Sequence, residues 1–194
     1  MSQTTANNFS VYGIDISKFQ GNEINQLNKQ TDQLTFVICK ATEGITYTDC
    51  DFKTNWYMIQ SKGYIRGAYH FYHCDDDPGK QVSHYLAVVG AFLDIDFPPI
   101  VDFEKLSIDP RINKANIQSN FLQFLTLLEQ QTGRKPIVYT DNNTANTYLT
   151  EPTFANYCLW VADYNTSLKI YSLEIPRLGY LAKIGKFQTR RKHQ

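Results

Sequence analysis

The sequence predicts an α/β domain in which a parallel sheet is covered by helices, either open or closed into a barrel. Three observations carry this reading. Short runs rich in β-branched and aromatic residues alternate with longer stretches whose apolar residues recur at helical spacing. The strand runs are apolar almost throughout, as strands covered on both faces are. No repeat, low-complexity tract or linker divides the 194 residues, so one domain is expected. An eight-unit β/α barrel, usually near ~250 residues, would have to be abbreviated to fit.

Taken in order, residues 1–10 (MSQTTANNFS) are polar and read as a flexible N-terminal segment. They have neither the basic start nor the apolar stretch of a secretory signal. A single domain is expected over 11–194. Strands are predicted at 11–16 (VYGIDI), 34–41 (LTFVICKA), 64–72 (YIRGAYHFY), 99–104 (PIVDFE), 136–140 (PIVYT) and 157–163 (YCLWVAD). Helices are predicted at 51–62, 79–92 and 112–132. In the last of these Ile117, Phe121, Phe124, Leu125 and Leu128 fall on one face, and Gly133 is placed to end it. Over 168–194 the alternation fades and basic residues crowd the end, which reads as a divergent, solvated tail.

Composition narrows the function classes. Nineteen Lys and Arg balance nineteen Asp and Glu, so the field that draws polyanions to basic proteins is missing and nucleic acid is not an expected partner. No apolar stretch approaches the roughly 20 residues that span a bilayer. Cys39, Cys50, Cys74 and Cys158 are widely spaced, two of them inside apolar runs, and read as reduced thiols. His70, His73 and Cys74 resemble a metal cluster, but positions 70 and 73 have opposite parity and would face opposite sides of a continuing strand. No metal site and no cofactor are expected.

In either α/β arrangement chemistry gathers at the C-terminal ends of strands, where Asp15, Asp102 and Glu104 stand. Residues two apart on a strand share a face, so Asp102 and Glu104 are roughly 6.6 Å apart along the chain, with Val101 and Phe103 turned away. Two carboxyls in a poorly solvated place push their ionisations apart, leaving one protonated and one charged. Glycoside cleavage uses that division, as an acid for the leaving oxygen and an anion for the positive sugar. By itself, an Asp-x-Glu after a strand also fits a divalent metal site or a solvated strand end.

The wider context is a series of motifs: GIDISKFQG (13–21), FVICKATEG (36–44) with Tyr47 and Asp49 after it, GYIRGAYHFY (63–72), PPIVDFE (98–104), GRKPIVYT (133–140) and LWVADY (159–164). In this order and spacing they resemble the successive strand motifs of the glycoside hydrolase family 25 lysozymes, over about 11–165. The resemblance implies an abbreviated, flattened TIM-like β/α barrel that hydrolyses the β-1,4 bond between N-acetylmuramic acid and N-acetylglucosamine in peptidoglycan. It implies Glu104 as general acid/base, Asp102 as the carboxylate that orients the sugar's own 2-acetamido group, and Asp15 as the acid of the first strand. Tyr69, Tyr139 and Trp160 would line the groove, with Glu43 close by. The implied partner is the peptidoglycan strand, met by a monomer made in the cytoplasm that reaches the wall by release or signal-independent export. The family's closing tryptophan-rich stretch and Gly-x-Asp-x-Asn segment are missing, which puts the closing strands in question and leaves Asp163 as the acid placed to stand in. The rival expectation is a catalytically impaired or noncatalytic relative that binds peptidoglycan.

Overall fold

The computed structural model describes residues 11–162, 172–174 and 181–183. In chain order the elements are β1 (Gly13–Ile16), α1 (Glu23–Gln26), β2 (Phe36–Glu43), β3 (Tyr47–Thr48), α2 (Phe52–Ser61), β4 (Ile65–Phe71), α3 (Pro78–Val89), β5 (Ile100–Asp102), α4 (Lys114–Thr132), β6 (Ile137–Asp141), α5 (Asn142–Tyr148), β7 (Cys158–Ala162), β8 (Ser172–Glu174) and β9 (Leu181–Lys183). The main sheet runs β1-β2-β4-β5-β6-β7, and every pairing along that path is parallel. β3 folds back antiparallel on β2, and β8 pairs with β9 in a separate antiparallel ladder. The sheet curls into a half-barrel with helices outside it, the abbreviated TIM-like arrangement that the sequence resemblance implies.

Strand period explains how one sheet serves two cores. Val37, Cys39, Ala68, Val101, Phe103 and Val138 face outward into the layer of α2, α3 and α4, where they meet residues such as Phe52, Tyr85, Phe121 and Leu128. The alternate residues Phe36, Ile38, Ile100, Ile137 and Trp160 face inward and form a second cluster with Phe97, Tyr69 and Tyr139. Strands apolar on both faces read as continuous hydrophobic runs, as the sequence does.

Helix ends follow local chemistry. α3 starts where the Asp77 side chain accepts the Lys80 amide at 2.8 Å with Pro78 in the first turn, and it stops at Gly90, at φ +73°. The predicted end at 92 therefore shortens to 89. Asn113 caps α4 through the Asn116 amide at 2.9 Å, and Gly133 ends it in the left-handed conformation at φ +66°. The sequence patterns did not reveal α5, because NNTANTY has no apolar stripe. It forms because Asp141 accepts the Asn143 and Thr144 amides, each at 2.9 Å.

Candidate active site

The register places the predicted acids on the concave face. Asp15 pairs with Ile38, which belongs to the inner cluster. Further along, Phe71, Asp102, Tyr139 and Trp160 stand in one row across β4 to β7. The Phe103 amide donates to the Tyr139 carbonyl at 2.9 Å, so the extended chain continues beyond β5. Glu104 is itself extended, at φ −132° and ψ −176°, and shares the face of Asp102, while Phe103 between them is fully buried in the helix layer. Both acids are half-buried.

Tyr69 links the first strand to the fifth. Burial first, and then the charges of Asp15 and Asp102, push its phenol well above the ordinary range. The hydroxyl thus keeps its proton beside two carboxylates from opposite sides of β4. Gly67, two residues earlier on the same face, makes room beneath it. A Cβ at Gly67 would come 2.9 Å from Ile38 and 3.2 Å from Ile100. Tyr139 is half-buried, and its ring meets Trp160 edge to face at 4.8 Å. Trp160 is only 8% exposed, so its place is the floor of the concave face.

Glu43 reaches that face through an irregularity. Lys40 pairs with Tyr69, but the register shifts before Thr42, which pairs with His70, and Glu43 then pairs with Phe71. The extra residue turns Thr42 toward the helices and returns Glu43 to the side of Lys40, as a β-bulge does. One Glu43 oxygen accepts from Lys40 Nζ at 2.5 Å, and the other lies 3.0 Å from His73 Nε2. Partial burial alone would raise this carboxyl, but the hydrogen bonds from Lys40 and His73 outweigh it and hold the group below its ordinary range. The Lys40 ammonium also lies over the rings of Tyr47 and Phe71, at 5.4 and 5.1 Å from their centroids.

The family model for glycosyl hydrolases family 25 matches residues 14–188. The chain belongs to this family. Among its relatives, the uncharacterized protein YegX of Escherichia coli K12 is 31% identical over 160 residues, covering 80% of this chain and 57% of YegX. The chain thus spans little more than half the length of that relative. A muramidase structure from Trichobolus zukalii superposes with a TM-score of 0.71 at 29% identity, covering 80% of this chain and 78% of that one. A family 25 glycosyl hydrolase from Bacillus anthracis, at 23% identity, shares the fold with a TM-score of 0.74 over 84% of this chain and 75% of its own.

The family 25 match runs on through most of the segment that reads as a divergent tail. Asp163 lies outside the described residues. Two further acids bear on the site: Asp49, quoted above only as part of a motif and given no role, and Asp141, which was not singled out from sequence. Asp49, 2% exposed, accepts the Lys18 amide at 3.1 Å and the Asp51 amide at 3.0 Å, tying the turn after β1 to the β2–β3 hairpin. Asp141 stands inward at the end of β6. Burial pulls its carboxyl upward, but hydrogen bonds from Thr144, Asn143 and the Lys105 amide outweigh that and lower it. Its sequence signal was the Asp before Asn-Asn-Thr, a helix cap without an apolar stripe behind it. Among the described residues no group of three or more His, Cys, Asp or Glu is placed to hold a metal, and no helix is long and apolar enough to cross a membrane. The four cysteines are free thiols, with Cys39 and Cys74 buried and Cys50 exposed.

Proposed function

We propose that this chain is a lysozyme-type glycoside hydrolase that cleaves the β-1,4 bond between N-acetylmuramic acid and N-acetylglucosamine in bacterial peptidoglycan. The observation that carries this reading is the pair Asp102 and Glu104 on one concave face at the C-terminal end of β5, with Asp15 and Tyr69 facing the same space. Glu104 gives its proton to the glycosidic oxygen as the bond to the anomeric carbon breaks. The 2-acetamido oxygen of the same sugar attacks that carbon, and Asp102 orients the amide and balances the charge of the ring that forms. Water, deprotonated by Glu104, then opens the ring with retention. Tyr69 supplies a proton-bearing hydroxyl beside the carboxylates, and Tyr139 and Trp160 supply ring edges and faces for sugars. Wall material is the site of action.

Clearing of a suspension of purified cell walls tests the proposal. The intact protein is expected to clear it, and Glu104→Gln to lower the rate by about 10²–10⁴-fold, the range for losing a general acid. No clearing by the intact protein, or an equal rate in the variant, would overturn the enzymatic reading. Retention on insoluble peptidoglycan without release of reducing ends would instead identify a glycan-binding relative.

A further inference from the structure

The short 3-10 turn Lys105–Ser107 follows Glu104 directly and ends in a serine that is 2% exposed. Ser107 Oγ accepts the Glu104 amide at 3.1 Å and points toward the Asp102 carbonyl oxygen at 3.5 Å. The Ser107 amide donates to the Glu104 carbonyl at 2.8 Å, and the Ser107 carbonyl accepts the Cys74 amide at 3.0 Å. The Ser107 side chain thus closes the turn back onto the Glu104 backbone.

This arrangement does something the sheet cannot. The alternation that puts Asp102 and Glu104 on one face holds only while the chain stays extended, and β4 has already ended at Phe71. The Phe103 amide still finds a sheet partner in Tyr139, but the Glu104 amide finds a side chain, Ser107 Oγ. The serine hydroxyl takes the place of the missing strand.

We propose that Ser107 is a positioning residue: its hydroxyl keeps the backbone extended through Glu104 and so sets the direction in which the Glu104 carboxyl meets the cleft. The inference rests on the reading of Glu104 as the proton donor. It assigns Ser107 no contact with the substrate. Misplacing a reacting group by about 1 Å costs on the order of 10²-fold in rate.

Ser107→Ala and Ser107→Thr test it, with initial rates on purified peptidoglycan, the pH profile, and the titration of the Glu104 carboxyl followed by carbon NMR in the full chain. Ser107→Ala is expected to lower kcat by about 10–100-fold with KM within twofold, and to shift both the Glu104 titration and the matching limb of the pH profile. Ser107→Thr, which keeps the hydroxyl, is expected to recover most of the rate. A Ser107→Ala protein that melts earlier but keeps its kcat and its Glu104 titration would overturn the proposal. If the unaltered protein clears no wall, the enzymatic reading fails separately. The titration then decides alone: a shift in Ser107→Ala, reversed in Ser107→Thr, supports the brace, and an unmoved midpoint rejects it. If Ser107→Ala does not fold, Ser107→Cys, which keeps a weak acceptor, replaces it under the same criteria.

Discussion

A histidine sealed from water must find its partners in the protein, and His70, fully buried, finds two. Its Nδ1 lies 2.8 Å from Thr42 Oγ1 and its Nε2 lies 3.1 Å from Gln81 Oε1. The amide oxygen of Gln81 only accepts, so Nε2 carries the proton and Nδ1 accepts from the threonine hydroxyl. Burial, against the opposing hydrogen bond to Gln81, pulls the imidazole down to about 3, and His84, His73 and Lys40 push the same way. Unfolded histidine titrates near ~6.5, so between these values the unfolded chain binds more protons. Stability is therefore complete above the unfolded value and falls as pH drops toward the folded one, by up to about 1.4 kcal/mol per pH unit. Denaturant midpoints measured from pH 7 to pH 4 should drop less steeply in His70→Gln than in the parent, and parallel slopes would refute the assignment. At this scale the shared face of Asp102 and Glu104 was legible, because alternation needs only an extended chain. The inward return of Glu43 was not, because a bulge depends on the neighbouring strand and on the Thr42–His70 contact behind it.

The site is held up by elements that never touch it. Between Asp102, which ends β5, and Glu104 just beyond it, Phe103 stacks on Phe121 of α4 with ring centroids 4.0 Å apart and planes 15° from parallel. Phe121 in turn meets Tyr72, just past β4, at 5.0 Å. The aromatic layer thus fixes β5 from behind while its acids face the cleft. Phe103→Ala should lower stability by about 3–5 kcal/mol, read by chemical denaturation. A loss below about 1 kcal/mol would mean that the stack does not anchor the strand. α4 was legible from sequence in type and in where it stops, because its apolar stripe and its terminal glycine agree, while its start moves from 112 to 114 behind the Asn113 cap. α5 and β3 were not. The first rests on a side-chain cap, and the second is a pair of residues, Tyr47–Thr48, that becomes a strand only against β2.

Over the whole molecule, the balanced charge and the parallel half-barrel direct attention to one end of the sheet, where the strand C-termini and the acids coincide. A hollow elsewhere is lined by residues 25–30 and Lys62, toward the N-terminal end of β4 and away from those acids. Lys62 Nζ there is already bonded to the Leu27 carbonyl at 2.8 Å and the Asn25 carbonyl at 3.1 Å. The proposed hydrolysis uses carboxyls and the substrate's own amide, so wall clearing should be unchanged by a strong chelator. Loss of clearing that returns on adding a divalent cation would contradict this chemistry.

The alternation of the six main strands with α2, α3 and α4, the family, and the common face of Asp102 and Glu104 were legible in the sequence alone, because periodicity and motif spacing are local properties of the chain. Tertiary structure alone decided which side of the sheet became the cleft, how a bulge brought Glu43 to Lys40 and His73, and why Ser107 bears on Glu104. Those relations join residues on different strands and turns, and they exist only once the sheet has curled and its two faces have been filled.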